Sequence, residues 1–212
     1  MIIAVDGPAA AGKGTLARAL ARHYSYHFLD TGSLYRMVGL ALLSQGRDPR
    51  DAAAALAAAK ALRPDLVHEQ DLRSEAVGEA ASIVAADLGV REALLGLQRD
   101  FARRAPGAVL DGRDIGTVVC PDAEAKIFVT ASPEVRAERR HAELAERGDV
   151  EPFDKVLAEI RTRDARDRSR VHAPLVPAKD AYVLETSAMT RAQALEAAIK
   201  FVDGKRTQAL AP

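Results

Sequence analysis

Met1-Ile-Ile-Ala-Val-Asp-Gly-Pro-Ala-Ala-Ala-Gly-Lys-Gly-Thr15 opens the chain as a short apolar run followed by a glycine-rich loop. The apolar residues up to Val5 predict a strand, and the stretch from Leu16 to Arg22 predicts a helix. In a strand, loop and helix of this kind, backbone N–H groups and the helix N-terminus converge on one anion. Gly7 and Gly12 permit the inward turn because they have no Cβ to clash. The segment therefore predicts a phosphate-binding loop in an α/β protein.

This loop is expected to hold the phosphates of a nucleoside triphosphate. Lys13 would add positive charge near the β- and γ-phosphates, and Thr15 is placed to help hold Mg²⁺. The strict pattern has a hydroxyl directly after the lysine, where this chain has Gly14. A chance glycine-rich turn is the alternative, and the flanking strand and helix argue against it. The residues predicted to bind the triphosphate are Gly7, Pro8, Ala9, Ala10, Ala11, Gly12, Lys13, Gly14 and Thr15.

The composition restricts the class of protein. The chain has 212 residues, and its 30 Lys plus Arg balance its 30 Asp plus Glu, which argues against a general nucleic-acid binder. The single cysteine, Cys120, excludes an internal disulfide and favours a reducing compartment. The five histidines show no metal-ligand spacing. Because the chain opens on a strand and has no apolar run of about 18 residues, we expect a cytoplasmic protein with neither signal peptide nor membrane span.

Strands and helices alternate along the rest of the chain, which predicts a five-stranded parallel sheet covered by helices on both faces. One domain spanning residues 1–212 is expected, with the tail from Lys205 to Pro212 loose. In addition to the first strand, the predicted strands are Tyr26 to Leu29, Ala108 to Leu110, Lys126 to Thr130 and Ala181 to Leu184. In addition to the first helix, the predicted helices cover residues 34–44, 51–62, 74–87, 90–104, a stretch beginning after Ser132, 153–168 and 190–202.

Three polar residues follow the third predicted strand, at the sheet edge where α/β proteins bind ligands. Asp111 is expected to orient Mg²⁺ or its waters, the alternative being a turn aspartate that caps Gly112. Arg113 and Asp114 place a fork-shaped donor beside an acceptor. This pair suits a substrate that carries both a phosphate and a polar base.

An arginine-rich stretch runs from Arg161 to Arg170. In a helix, Arg163, Asp167 and Arg170 share one face, so two cations would flank one carboxylate. A solvated helix laced with ion pairs is the ordinary alternative. A third set, Arg136, Arg139 and Arg140, more often represents surface charge when it stands alone.

The clusters together indicate phosphoryl transfer, because that reaction depends mainly on positioned positive charge. The sequence has no evident Ser-His or Cys-His nucleophile set. A phosphate acceptor is already anionic near pH 7 and needs little general-base help. A hydroxyl acceptor would need more, and Asp111 or Asp114 would then be the candidate base.

Four stretches resemble the bacterial cytidylate kinases, which belong to the nucleoside-monophosphate kinases. The resemblance covers nearly the whole chain. The last two of the stretches given below are more specific to this family than the phosphate loop. The stretches are Asp6 to Thr15, Asp30-Thr-Gly-Ser-Leu-Tyr-Arg36, Asp111-Gly-Arg-Asp-Ile-Gly-Thr-Val-Val119, and Arg163 to Arg170 continuing into Ala173-Pro-Leu-Val-Pro177. The resemblance implies transfer of the ATP γ-phosphate to CMP or dCMP with Mg²⁺.

The resemblance also implies roles for individual residues. Arg36 and Arg113 would clamp the acceptor phosphate, with Thr31 close by. Arg136 and Arg140 would contact the donor nucleotide and its γ-phosphate, and the adenine would lie near Thr186 to Thr190. The implied cytosine group is Ser82, Arg91, Asp114 and Arg170, and the implied sugar group is Arg163 and Asp167. The implied catalytic residues are Lys13, Arg113, Arg136 and Arg163.

The chain departs from the family on the acceptor side. The insert, about residues 32–104, is expected to be helical, since Asp65 to Arg73 is too short for the small antiparallel sheet that family members often carry. A lid is expected at about 147–153, with Gly148 as a hinge. We expect a monomer with no nucleic-acid or membrane partner. The rival hypotheses are another phosphate-loop kinase acting on UMP, AMP or a hydroxyl, and a binding module whose arginines hold RNA or a protein.

Overall fold

The computed structural model describes residues 1–64 and 67–210. It contains a five-stranded sheet in the order β2-β3-β1-β4-β5, in which every neighbouring pair is parallel. The strands are β1 (Ile2–Asp6), β2 (His27–Asp30), β3 (Ala108–Gly112), β4 (Ala125–Thr130) and β5 (Tyr182–Glu185). All five predicted strands are therefore confirmed, each within a few residues of its expected bounds.

Eight α-helices connect and cover the strands within the described residues. They are α1 (Lys13–Tyr24), α2 (Thr31–Ser44), α3 (Ala52–Lys60), α4 (Glu75–Val84), α5 (Leu88–Ala102), α6 (Pro133–Glu146), α7 (Phe153–Arg168) and α8 (Arg191–Leu210). Side-chain caps explain several of the starts, because each cap accepts a hydrogen bond from an otherwise unpaired N–H group of the first turn. The capping side chains are Asp51, Ser74, Asp87 and Ser132.

The sheet separates two layers of helices. On one face, α1 and α8 bury apolar residues such as Leu20 and Val202 against Ile3 and Ile127. On the other face, α5 and a π-helical turn, Ile115–Val119, cover Leu110. The α/β prediction is thus confirmed, with both faces of the parallel sheet buried.

Two smaller cores lie beside the main one. Helices α2 to α5 pack together around residues such as Leu42 and Leu94. Helices α6 and α7 share a core that includes Leu144 and Ile160. Each helical group therefore has its own apolar packing.

The structure corrects the prediction for the C-terminal tail. Residues 205–210 continue α8 as helix, whereas residues 211 and 212 lie outside the described part. The Tyr24 hydroxyl donates a 2.9 Å hydrogen bond to Asp203, and the Arg206 guanidinium lies 5.1 Å from the Tyr24 ring centroid. These contacts with α1 explain why the helix does not end at Val202.

The short acceptor-side insert carries a 3₁₀ turn at Glu69–Leu72, and no strand occurs between β2 and β3 in the residues that are described. Positions 65 and 66 lie outside the description. The π-helical turn after β3 was not predicted from the sequence. Within the described ranges, no helix is long and apolar enough to cross a membrane.

Candidate active site

A cavity of about 910 Å³ opens at the carboxyl ends of the strands. One wall is the phosphate loop and the start of α1, and the opposite wall comes from α2, α4, α5 and the segment after β3. A second cavity of about 1010 Å³ adjoins it and shares Lys13, Asp30, Arg36, Arg113 and Arg163. The two cavities form one cleft, located where ligands bind in parallel α/β sheets.

The phosphate loop is shaped by residues in unusual backbone conformations. Gly12 has a φ of 86° and precedes the first residue of α1, and Ala10 has a φ of 58°. A Cβ on Gly7 would lie 2.0 Å from the carbonyl oxygen of Val129, so only glycine fits there. The loop is therefore packed against β4 while its far end turns its N–H groups toward the cleft.

The predicted loop residues differ in their access to the cleft. The six residues from Ala10 to Thr15 line the first cavity, and Ala9 lines only the second. Gly7 and Pro8 are buried and line neither cavity. The structure thus places Ala10 to Thr15 where a phosphate chain can reach them, with Gly7 and Pro8 supporting the loop.

Lys13 and Asp111 face each other at the bottom of the cleft. The Lys13 Nζ lies 3.7 Å from Asp111 Oδ1, and both residues are buried. Burial lowers the pKa of Lys13 to about 8, and the nearby Arg113 acts in the same direction. Burial raises the pKa of Asp111 to about 6, although Lys13 opposes the shift. Neither charge is well solvated, so an anionic ligand near Lys13 and a cation near Asp111 would each be stabilised.

The residues proposed to hold Mg²⁺ fit that ion. Asp111 Oδ1 is buried and accepts no hydrogen bond, and Thr15 is exposed to the same cavity. A Cβ on Gly14 would lie 3.0 Å from Asp111 Oδ2, so glycine at position 14 leaves room for this carboxylate. Magnesium usually takes one or two protein oxygens together with substrate phosphates and water. In the described ranges, no group of three or more His, Cys, Asp or Glu side chains is arranged to hold a metal ion by itself.

Asp167 joins two arginines that are distant in the sequence. Its Oδ2 accepts a 3.1 Å hydrogen bond from Arg113 Nε, and its Oδ1 accepts one of 2.5 Å from Arg170 Nη2. Burial opposes ionisation, but these guanidinium groups hold the pKa of Asp167 below its usual range. The predicted pattern of two cations around one carboxylate is present, with Arg113 in the place expected for Arg163.

Arg163 projects from α7 toward this group without a hydrogen-bond partner at its buried Nε. Burial and, to a smaller extent, the neighbouring Arg113 together lower the pKa of Arg163 to about 10. Cations this close repel one another. An anion bound between Arg113 and Arg163 would relieve that repulsion, so this part of the cleft favours a negatively charged ligand.

The four residues assigned by resemblance to the cytosine line the first cavity together. Arg91 donates a short hydrogen bond to Asp114 and a 3.2 Å bond to the carbonyl oxygen of Ala85. Burial raises the pKa of Asp114, and the charge of Arg91 opposes that shift. The Oγ of Ser82 and the Nε of Arg170 are buried without partners. The group thus offers one carboxylate and several unused polar atoms to a flat polar ligand.

Four buried side-chain atoms lack a hydrogen-bond partner within the described part of the chain: Ser82 Oγ, Asp111 Oδ1, Arg163 Nε and Arg170 Nε. All four residues line the first cavity. Leaving a buried polar atom unpaired costs about 1–3 kcal/mol, and such atoms are rare in folded proteins. Their concentration in one cleft points to a polar ligand.

Arg36, Thr31 and Arg140 also lie at the cleft. Arg36 lines both cavities and donates a 2.8 Å hydrogen bond to the carbonyl oxygen of Leu72. The Thr31 hydroxyl donates a 2.8 Å bond to the carbonyl oxygen of Asp111, which ties α2 to β3. Arg140 lines both cavities, but its guanidinium contacts Glu75 and Glu143.

Arg136 does not reach the cleft. Its side chain is 1% exposed, and its guanidinium donates to both carboxylate oxygens of Asp164 and to the carbonyl oxygens of Ala131 and Ala9. With these donors occupied, Arg136 joins α6 to α7 and to the phosphate loop. This geometry does not place it beside a transferring phosphate, which corrects its expected contact with the nucleotide.

Two polar residues that line the cleft, Arg139 and Asp30, were assigned no role from the sequence. Arg139, one helical turn beyond Arg136, hydrogen-bonds the hydroxyl and the carbonyl oxygen of Thr186, at 3.1 and 2.7 Å. Asp30 is the parallel-strand partner of Asp111 and lines both cavities. The signal for Asp30 was its position directly after a predicted strand, the same signal that identified Asp111.

Comparisons with known proteins identify the family of the chain. A family model described as Cytidylate kinase matches residues 3–204. The chain is 58% identical to the cytidylate kinase of Xanthobacter autotrophicus over 206 residues, which covers 97% of this chain and 99% of that protein. It is 58% identical to the cytidylate kinase of Rhodospirillum rubrum over 209 residues, which covers 97% and 98%.

Two solved structures resemble the fold. One is a gluconokinase from Sinorhizobium meliloti 1021, with a TM-score of 0.50 at 17% identity over 98% of this chain and 95% of that chain. The other is TT1252 from Thermus thermophilus, with a TM-score of 0.50 at 22% identity over 100% and 98%. At such low identities, the likeness bears on the fold alone.

Proposed function

The chain belongs to the cytidylate kinase family, and we infer from this that it transfers the γ-phosphate of ATP to CMP or dCMP, giving ADP and CDP or dCDP. It is therefore a phosphotransferase whose acceptor is itself a phosphate group. The observation that best supports this function is the cleft, in which the phosphate loop faces Arg113, Arg163 and the unpaired polar atoms of Ser82 and Arg170.

The two nucleotides would bind with their phosphates facing each other across the cleft. The N–H groups of the loop from Ala10 to Thr15 and the Lys13 ammonium would bind the ATP phosphates. Arg36, Arg113 and Arg163 would bind the phosphate of CMP. Such a clamp brings the attacking oxygen close to the γ-phosphorus and replaces lost hydration by fixed positive charge. Thr15 and Asp111 would hold Mg²⁺, which neutralises charge on the transferring phosphate when bound.

No general base is required of the protein. The second pKa of a phosphate monoester is about 6, so most CMP carries an anionic oxygen nucleophile at neutral pH. We therefore propose that Asp111 faces the metal ion and that Asp114 contacts the cytosine ring of the acceptor, and that neither acts as a general base. As the γ-phosphate moves, negative charge spreads over its oxygens, and Lys13, Arg113 and Arg163 would stabilise it there.

Base selection would come from Asp114 and its neighbours. Cytosine presents an amino group that a carboxylate accepts, and two acceptor atoms that Ser82 and Arg170 can satisfy; uracil has an acceptor where cytosine has the amine. An unpaired polar group in this site costs about 1–3 kcal/mol, which corresponds to a preference of one or two powers of ten. Asp167 would help position the sugar while it holds Arg113 and Arg170.

Closure of the cleft would exclude water, which otherwise accepts the phosphate. We propose one kinase domain, with an acceptor-binding insert at about 32–104 and a lid loop at about 147–153 between α6 and α7. Gly148, with a φ of 84°, is the natural hinge of that loop. Arg140 would leave Glu75 for the donor phosphates as the lid closes. The adenine would lie between Arg139 and the segment from Thr186 to Thr190.

We further propose that the protein works as a monomer in the cytoplasm, without a nucleic-acid or membrane partner. One chain supplies both walls of the cleft. The single cysteine, Cys120, is a buried free thiol, which suits a reducing compartment.

An acceptor panel tests the proposal directly. ADP release should be fastest with CMP and dCMP, slower by one or two powers of ten with UMP, and slowest with AMP. Fastest turnover with AMP would contradict the cytosine assignment, and no turnover with any nucleotide would favour a hydroxyl acceptor. Tight, steeply salt-dependent RNA binding in a gel-shift titration, without turnover, would favour an RNA-binding module instead.

The lowered pKa of Lys13 predicts that ATP binding takes up a proton. With a pKa of about 8, Lys13 is about half protonated at pH 8 in the free protein. The bound triphosphate favours the ammonium, so binding should take up about half a proton at pH 8, and ATP affinity should fall as pH rises further. Calorimetry in buffers of different ionisation enthalpy measures this uptake.

The control for this measurement is Lys13→Arg, whose guanidinium remains protonated throughout the range. Proton uptake at pH 8 should disappear in that variant. Equal uptake by the two proteins would assign the titration to another group and contradict the prediction.

A further inference from the structure

Asp6 is a buried carboxylate that the proposed reaction does not use. It ends β1, directly before the phosphate loop, and is 5% exposed. Its Oδ1 accepts a 2.7 Å hydrogen bond from the N–H of Ile115, and its Oδ2 accepts one of 2.7 Å from the N–H of Gly116. No Lys or Arg forms an ion pair with Asp6 in the described part of the chain. Its partners are backbone amides more than a hundred positions away.

Those two amides begin the π-helical turn that follows Asp114. The carbonyl oxygen of Asp114 accepts hydrogen bonds from Val118 and Val119 at 2.9 and 3.1 Å, so this turn holds its backbone. A Cβ on Gly116 would lie 3.2 Å from the Lys126 side chain and 3.4 Å from Asp6 Oδ2. The Lys126 side chain is the closer of these two neighbours, so a side chain at position 116 would press on the turn from that side.

The backbone of Asp6 is held in the middle of the sheet. Asp6 is the strand partner of Gly112 on β3 and of Phe128 on β4. Gly7, which follows it, is pressed against the Val129 carbonyl oxygen. One side chain thus links the start of the phosphate loop to the turn that carries Asp114.

Holding a carboxylate in this place is unfavourable by itself. Burial raises the pKa of Asp6 to about 7, while the hydrogen bonds from Gly116 and Ile115 counteract the shift. An apolar side chain would fill the same space without this desolvation penalty. What the carboxylate adds is two hydrogen bonds from backbone N–H groups. These hydrogen bonds hold the segment that is proposed to contact the acceptor base.

We propose that Asp6 is a positioning residue that fixes Asp114 relative to the phosphate loop. The acceptor nucleotide is then held at the correct distance from the donor phosphates. The inference rests on the proposed function, since it assigns Asp114 to the acceptor base. A displacement of about 1 Å between reacting groups is enough to lower a rate about a hundredfold. Without Asp6, the turn would shift, and CMP would lose its alignment while ATP kept its own contacts.

The primary test is Asp6→Asn, which keeps the shape of the side chain. The asparagine oxygen can accept from one amide, but its NH₂ group faces the other N–H donor. The KM for CMP should rise about tenfold and the preference for CMP over UMP should fall by a similar factor, while the KM for ATP stays within about twofold. A loss of folded protein alone would lower kcat without raising the KM for CMP relative to the KM for ATP.

Two further variants complete the test. Gly116→Ala adds a Cβ 3.2 Å from the Lys126 side chain, which crowds the turn and shifts it relative to an intact Asp6. This variant should give the same change in the KM for CMP and in the CMP to UMP ratio, and it decides the question if Asp6→Asn does not fold. Glu124→Ala removes a carboxylate that accepts a 2.7 Å hydrogen bond from the N–H of Ile2, at the end of β1 away from the cleft and outside the acceptor-binding insert. It should lower the melting temperature and leave both KM values unchanged.

The outcomes separate this inference from the proposed function. A wild-type protein that does not phosphorylate CMP contradicts the function. If the wild type turns over CMP, and if Asp6→Asn and Gly116→Ala both retain its KM for CMP and its CMP to UMP ratio, the positioning role of Asp6 is wrong, whatever happens to the melting temperature.

Discussion

Lys13→Met should lower kcat/KM by about three powers of ten while the protein remains folded. Lys13 is the charge nearest to the expected β- and γ-phosphates, and a preorganised charge in a site that excludes water stabilises a phosphoryl transition state strongly. The fold should tolerate the change, because the Lys13 ammonium is desolvated and, among the described residues, its side-chain contact with a carboxylate is a 3.7 Å ion pair with Asp111. Methionine fills the same volume without the charge. Steady-state kinetics with CMP and ATP, beside a thermal melt, measure both effects.

The matched control is Lys200→Met, the same replacement on the exposed surface of α8. It should leave both kcat/KM and the melting temperature unchanged. Near-normal turnover of Lys13→Met would remove this lysine from the mechanism. A collapse of the melting temperature would instead show that the fold depends on it.

Asp114→Ala should reduce the preference for CMP over UMP by about ten- to a hundredfold, mainly through a lower kcat/KM for CMP. The variant loses the only carboxylate proposed to accept the cytosine amino group, and it leaves Arg91 without its short hydrogen bond. Good pairing with a base edge contributes about 1–3 kcal/mol of discrimination, and uracil gains nothing from the lost acceptor. Competition between CMP and UMP at equal concentration gives the ratio directly.

Asp167→Asn serves as the control for this prediction. Its partners, Arg113 and Arg170, bear on the acceptor phosphate and on the general shape of the site. The variant should therefore slow CMP and UMP together. An unchanged CMP to UMP ratio in Asp114→Ala would show that the base is read by other residues.

Local sequence signals predicted much of the candidate site. The glycine-rich loop needs particular residues at particular spacings, so its position is evident without a structure. Asp111, Arg113 and Asp114 follow a strand directly, and parallel strands bring their carboxyl ends to one edge. The pair of cations around Asp167 was expected as well, although Arg113 provides one of them from 54 positions away, a contact that helical spacing cannot reveal.

Two of the three arginines of α6, Arg136 and Arg139, show what local sequence signals cannot predict. Arg136 and Arg139 are one turn apart on the same helix, and either could face the donor nucleotide. The packing of α6 on α7 turns Arg136 toward Asp164 and turns Arg139 toward Thr186. The rotation of a helix about its axis depends on which partner buries its apolar stripe, and that partner lies outside the helix.

By itself the sequence determined the five strands, the phosphate loop, the family and most of the charged groups around the cleft, because hydrophobic runs, glycine spacing and strand ends are local properties. Only the tertiary structure decided that Arg136 is internal, that α8 continues along α1 through Tyr24, and that Asp6 holds the turn behind Asp114. Each of these depends on contacts between segments far apart in the chain. Burial and hydrogen bonding act between whatever surfaces the fold brings together, and no single segment encodes its partner.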